Sequence, residues 1–163
     1  MRLILLRHAK SSWKTNASSD HERPLNKRGR RDAPTIAETL LSKGWIPELV
    51  LCSSAARTQE TWLHMEGIFP GEIPIQFLPT LYHASAKTGL QTLSHTPKAH
   101  QTVLMLGHNP GWESLLEVLC GESHKLTTTN AALLSVDAED WVEATTLSGA
   151  WTLHDILRPR VPR

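Results

Sequence analysis

The chain has 163 residues, 40% of them apolar, and a formal net charge of +1. That length is enough for one packed domain and short for two, and the near-neutral balance excludes a bulk attraction to nucleic acid or to an acidic membrane surface. No apolar run comes near the roughly 20 residues that span a bilayer, and Cys52 and Cys120 lack a CxxC spacing, so they read as reduced, buried thiols of a cytoplasmic protein with no secretory leader.

The first predicted element is the apolar strand Arg2-Leu3-Ile4-Leu5-Leu6, which runs straight into Arg7 and His8. Residues 10–23 form a polar loop. A helical pattern follows and ends near Gly44, with Asn26 and Asp32 both candidate N-caps. Pro34 suits the first turn if Asp32 is the cap and would kink the helix if Asn26 is. Residues 49–52 are a second strand, leading through Ser53-Ser54 to a helix-like segment with Arg57 and Thr61. Residues 73–78 are a weaker strand interrupted by Pro74, and residues 86–94 a helix. Residues 102–106 are a fourth strand. It ends at Gly107-His108-Asn109-Pro110-Gly111 and is followed by a helix through Cys120. Residues 131–136 and 151–157 are two further strands, and residues 158–163 a basic tail.

Strands alternating with helices predict one three-layer α/β domain over residues 1–157, a mostly parallel sheet with helices on both faces. Ligands of such sheets bind beyond the carboxyl ends of the strands. Arg7-His8, Ser53 to Arg57, and His108 all follow strand ends, so the pattern gathers two arginines and two histidines at one edge. Two guanidiniums present planar donor forks to phosphoryl oxygens and keep their charge at neutral pH. A neutral imidazole, with its other nitrogen hydrogen-bonded, is a competent nucleophile. A second histidine can donate to the phosphate, and a charged form would help hold the anion. The chemistry expected is phosphoryl transfer to His8 and attack by water on the phosphohistidine formed.

Leu6-Arg7-His8-Ala9-Lys10 resembles the RHG signature of the histidine phosphatase (phosphoglycerate mutase-like) superfamily. Arg57 within Ser53-Ser54-Ala55-Ala56-Arg57-Thr58 resembles its second motif, and Gly107-His108-Asn109 its third. The small size, Arg23-Pro24-Leu25 leading to Gly29, Leu78-Pro79-Thr80-Leu81-Tyr82, and Thr128-Thr129-Asn130-Ala131 resemble the SixA-type phosphohistidine phosphatases. The resemblance implies that His8 is the phosphorylated nucleophile, that Arg7, Arg57 and His108 complete the phosphate pocket, and that Arg23 adds to it. It also implies a monomer that needs no metal or cofactor and acts on a phosphorylated histidine of a protein partner, such as a phosphotransfer domain or phosphocarrier; the alternatives are a general small-molecule phosphomonoesterase of the same fold and a non-catalytic phosphate-binding regulatory module.

Three departures from the family pattern shape the expectation. Ala9 replaces a usual glycine, which an ordinary backbone conformation tolerates. Lys14 stands where the mutases have a polar phosphate contact and could serve as a flexible cation. Residues 81–85, where larger members carry an acidic proton donor, hold no carboxylate. An ester leaving group needs such an acid, worth about 10²–10⁴-fold, whereas a phosphohistidine, with a labile P–N bond, needs it less. His83 is read as either a substitute acid or an ordinary surface histidine. The short stretch between Leu78 and Thr102 leaves no room for a cap domain, which suits a substrate presented on a protein surface. The remaining histidines show no HExxH or close Cys/His spacing, so no metal site is expected. Trp13 is placed as a pocket wall, and Trp45, Trp62, Trp112, Trp141 and Trp151 as packing residues.

Overall fold

A computed structural model describes residues 1–159, so the predicted basic tail beyond Pro159 lies outside the described residues. Six strands form one sheet in the order β3-β2-β4-β1-β5-β6. They are β1 (Arg2–Arg7), β2 (Leu49–Ser53), β3 (Ile75–Leu78), β4 (Thr102–Gly107), β5 (Ala131–Ser135) and β6 (Thr152–Leu157). The pairs β1–β4, β2–β4 and β2–β3 are parallel, while β5 runs antiparallel to both β1 and β6. β1, β2 and β4 lie in the sheet interior and are near-continuous apolar runs, because both their faces are covered.

The helices are α1 (Lys27–Ser42), α2 (Ala56–Leu63), α3 (Ala86–Ser94), α4 (Gly111–Cys120) and α5 (Trp141–Thr146). On one face α1 and α2 pack Ile36, Leu40 and Trp62 against Ile4, Leu6 and Leu104. On the other, α3, α4 and α5 pack Leu93, Trp112 and Trp141 against Leu3, Leu5 and Met105. Trp62, Trp112, Trp141 and Trp151 are buried, and Trp45 is half-buried under the Arg2 guanidinium. Cys52 is buried, its thiol pushed up to about 12 by burial. Cys120 is only half-buried, because it sits in the last turn of α4 before Gly121, which corrects the expectation of two buried thiols.

Asn26, not Asp32, caps α1: its side chain accepts from the Gly29 N–H at 2.9 Å. Asp32 is buried inside the helix, beside Arg28 and Arg31. Pro34 is therefore interior, where it removes one helical hydrogen bond, yet α1 is continuous across it and keeps its buried stripe of Ala33, Ile36, Ala37 and Leu40. The third strand begins only after Pro74, whose carbonyl accepts from Val50 N–H at 2.9 Å. α5 lies where the hydrophobic pattern predicts no element. Its cap is Asp140, which accepts from Glu143 N–H at 2.8 Å.

Candidate active site

The parallel register sets the site. Arg7 pairs with Gly107 across β1–β4, and Cys52 with Leu106 across β2–β4. His8, Ser53 and His108 thus leave three adjacent strands at the same level. Arg57 arrives one turn later, at the start of α2. Arg7, His8, Arg57 and His108 line one cavity of about 250 Å³ with Lys10, Ser11, Trp13, Asp20, Arg23, His83, Asn109 and Thr128.

His8 is buried, and its Nδ1 lies 2.7 Å from the Ala9 carbonyl. A carbonyl only accepts, so Nδ1 carries the proton and Nε2 keeps its lone pair. Burial, with Arg57, Arg7 and Arg23 nearby, lowers the His8 pKa to about 3, although the Ala9 bond opposes this. The ring is neutral at pH 7. Ala9 itself has no positive φ, so alanine is unstrained here. Its N–H donates to Thr61 Oγ1 at 3.0 Å, and the same hydroxyl donates to the Arg57 carbonyl at 2.7 Å. Thr61 therefore ties the loop after His8 to the helix that carries Arg57. Gly29 supports that loop from behind, because a Cβ there would fall 2.2 Å from the Lys10 carbonyl oxygen.

His108 is buried 5.3 Å from His8, ring centre to ring centre. Its Nε2 lies 2.7 Å from Ser53 Oγ. Ser53 Oγ accepts from Ala55 N–H at 3.3 Å, so the hydroxyl proton is free to go to Nε2. The ring proton of His108 then sits on Nδ1, which is buried without a partner. Burial first, then His8 and Arg57, push the His108 pKa well below the usual range. His108 is therefore neutral and is a donor through Nδ1, and burial works against the charged form that would help hold an anion.

Arg7 donates from Nη1 to the Leu126 carbonyl at 3.0 Å, and its Nε is buried and unpartnered. Arg57 donates to the Asp20 carbonyl at 2.8 Å and to Asp20 Oδ2 at 3.1 Å, and its Nε is likewise unpartnered. Arg23 donates from Nε to Asp20 Oδ1 at 3.0 Å and lies under the exposed Trp13 ring at 3.5 Å. The cavity therefore carries the cations Arg7, Lys10, Arg23 and Arg57 against the single carboxylate of Asp20. Buried donors left without partners are costly unless a ligand takes them, and these three belong to side chains that line the cavity. Lys14 is exposed and does not line the cavity, which contains Lys10 instead.

Asp20 is the residue that the sequence did not reveal. A short 3-10 turn, Asp20–Glu22, carries it into the cavity, where its Oδ2 also accepts from Tyr82 Oη at 2.5 Å and from His83 Nε2 at 3.2 Å. The Tyr82 bond and Arg57 hold its carboxyl well below the usual carboxylate range, against the opposing effect of burial. Residues 81–85 indeed lack a carboxylate, but one reaches the same corner from the first loop. His83 lies in the cavity wall, 5.2 Å from the His108 ring, with a left-handed φ of 51° that a β-carbon makes unfavourable. Among the described residues, no three His, Cys, Asp or Glu side chains are grouped as a metal site, and no helix is long and apolar enough to cross a membrane.

Residues 3–86 match the histidine phosphatase superfamily, branch 1. An uncharacterized chloroplastic protein of Arabidopsis thaliana is 43% identical, over 97% of this chain and 78% of that one. An uncharacterized protein of Mycobacterium tuberculosis is 31% identical, over 85% of this chain and 90% of that one. Among solved structures, the "putative phosphohistidine phosphatase SixA" of Agrobacterium tumefaciens superposes with a TM-score of 0.81 at 31% identity, covering 97% of each chain. A protein histidine phosphatase SixA complexed with tungstate superposes with a TM-score of 0.83 at 24% identity, over 98% of this chain and 97% of that one, a likeness of fold.

Proposed function

Since the chain belongs to the histidine phosphatase superfamily and carries its fold, we propose that it is a metal-independent phosphatase acting on protein phosphohistidine through His8. One observation carries the reading. The Nδ1–H of His8 is bound to the Ala9 carbonyl, so the neutral ring has its Nε2 lone pair free beside unpartnered donors of Arg7, Arg57 and His108. This is an anion pocket with a nucleophile in its wall.

In the first step His8 Nε2 attacks phosphorus and the P–N bond to the substrate imidazole breaks. The leaving nitrogen takes a proton from His83. In the second step water attacks the phosphorus on His8, its proton goes to His83, and inorganic phosphate leaves. Arg7, Arg23 and Arg57 neutralise the equatorial oxygens throughout, and such preorganised donors contribute the larger part of phosphoryl-transfer catalysis. Asp20 holds His83 and both outer guanidiniums in place. The absence of a carboxylic acid donor favours an imidazole leaving group over an alkoxide.

The test is phosphate release from a phosphohistidine-bearing protein with chelator present. Wild type should release phosphate at a rate that chelator leaves unchanged, and His8→Ala should release none. Failure of both proteins, with p-nitrophenyl phosphate also intact, would refute the phosphatase reading.

A further inference from the structure

A second cavity, of about 580 Å³, lies beside the catalytic one as a groove. Two elements build it with their own periodicities. Ala56, Gln59, Glu60 and Leu63 recur at helical spacing along one face of α2, and Ile75 and Phe77 alternate along β3 at the sheet edge. The 3-10 turn at residues 20–22 walls both cavities. Asp20 enters the catalytic pocket, while His21 and Glu22 enter the groove, and His21 is anchored to Ser54 Oγ at 2.9 Å. The groove therefore begins at the catalytic pocket and runs away from it along α2.

Its chemistry is the inverse of the pocket's. Leu63 is 62% exposed and Phe77 46%, an apolar surface that water would leave uncovered. Trp62 also lines the groove and is itself buried, its indole Nε1–H without an acceptor among the described residues. The charged side chains on the groove are Glu22, Glu60 and Glu66, with no lysine or arginine among its lining residues. Glu60 is engaged by Arg30 and His64, but Glu22 and Glu66 have no ion pair among the described residues. A four-cation pocket thus opens into an acidic, apolar groove.

We infer that this groove docks the polypeptide flanking the phosphohistidine of the substrate protein, and that it selects flanks bearing apolar and basic side chains. The inference rests on the phosphohistidine reading above. The eight residues of α2 extend for about 12 Å, which matches about four residues of extended chain. The selected positions are therefore those next to the phosphorylated residue. A free phosphorylated metabolite would fill the pocket and leave the groove empty.

Two synthetic peptides test this, each with one central phosphohistidine, flanked on both sides by four residues of alternating Lys and Leu or by four of alternating Glu and Ser. Free phosphohistidine is the third substrate. Wild type should favour the Lys/Leu peptide over the Glu/Ser peptide by tenfold or more in kcat/KM. The double variant Glu22→Gln/Glu66→Gln, and separately Phe77→Ser, should reduce that preference to threefold or less while leaving kcat/KM on free phosphohistidine unchanged. Equal use of both peptides by wild type, or a preference that survives in the variants, would overturn the docking inference and leave the phosphatase reading intact. Failure to hydrolyse all three phosphohistidine substrates would remove that reading and the groove's role with it.

Discussion

Lowering the pH from 7.5 to 5 perturbs the two buried histidines before it reaches the carboxylates. His8 titrates at about 3 in the folded protein and His108 is pushed down further, both mainly by burial, whereas an unfolded histidine titrates near 6.5. Both folded pKa values lie below the unfolded ones, so the unfolded chain binds protons first. Stability is complete above pH 6.5 and falls as pH drops from 6.5 toward 3. The slope is about 1.4 kcal/mol per pH unit per site, so at pH 5 each histidine has removed about 2 kcal/mol and the pair about 4 kcal/mol. That is a large share of the roughly 5–15 kcal/mol of an ordinary domain. Asp20, whose folded pKa is lowered, loses its contribution only below its unfolded value near 3.9. Urea unfolding in phosphate-free buffer at pH 7.5, 6.5, 5.5 and 5.0 measures the effect. His8→Gln and His108→Gln should each lose about 2 kcal/mol less than wild type across the range. If both variants follow the wild-type profile, the account of two neutral, desolvated histidines is wrong.

Ser53→Ala removes the hydroxyl that fixes the His108 tautomer. Its kcat should fall by about 10²-fold, as for loss of one preorganised donor, and the imidazole 15N shifts of His108 should report the changed ring. His83→Gln should cost little on p-nitrophenyl phosphate, whose phenolate leaves readily, and at least about tenfold on an alkyl phosphate. Equal losses on both would deny His83 a proton-donor role. Gly111→Ala would place a Cβ 1.8 Å from the Ala84 carbonyl oxygen, at the start of α4 and one residue from His83. It should destabilise by about 1–3 kcal/mol, seen as a lower midpoint in thermal unfolding, with a larger fall in kcat than Gly29→Ala if the 82–84 turn places the acid.

The sheet and its polar edge were legible because strand ends announce themselves. An apolar run stopping at Arg7-His8 or at His108 has one meaning in a parallel sheet, and the backbone register places the residues without knowledge of any side-chain contact. Asp20 was not legible for the opposite reason. It sits in an irregular loop, where no periodicity fixes direction, and its partners Tyr82 and His83 lie more than sixty residues away. The local signal was Asp20 three residues before Arg23, a spacing common to many solvent-exposed pairs. The same loop carries Lys14 and Lys10, and no periodicity in it tells which of the two lines the cavity. The N-cap of α1 was open in the sequence because two good cap residues competed and Pro34 spoke for the wrong one. α5 did carry a sign, the Asp140…Glu143 pair of a capping box, but it is too short to show a hydrophobic period.

Asp20 also bears on how tightly the site can hold what it makes. Arg57 commits both Nη groups to this one residue and Arg23 commits its Nε. The donors left for an incoming oxyanion are fewer than the number of cations suggests. An enzyme whose last act is to release inorganic phosphate is impeded by a grip tuned to the dianion alone. A resident carboxylate sharing the same guanidiniums lowers that grip while leaving their alignment fixed, so Asp20 works as an internal rival of the product. Its mark would be weak product inhibition by phosphate that becomes strong in Asp20→Asn.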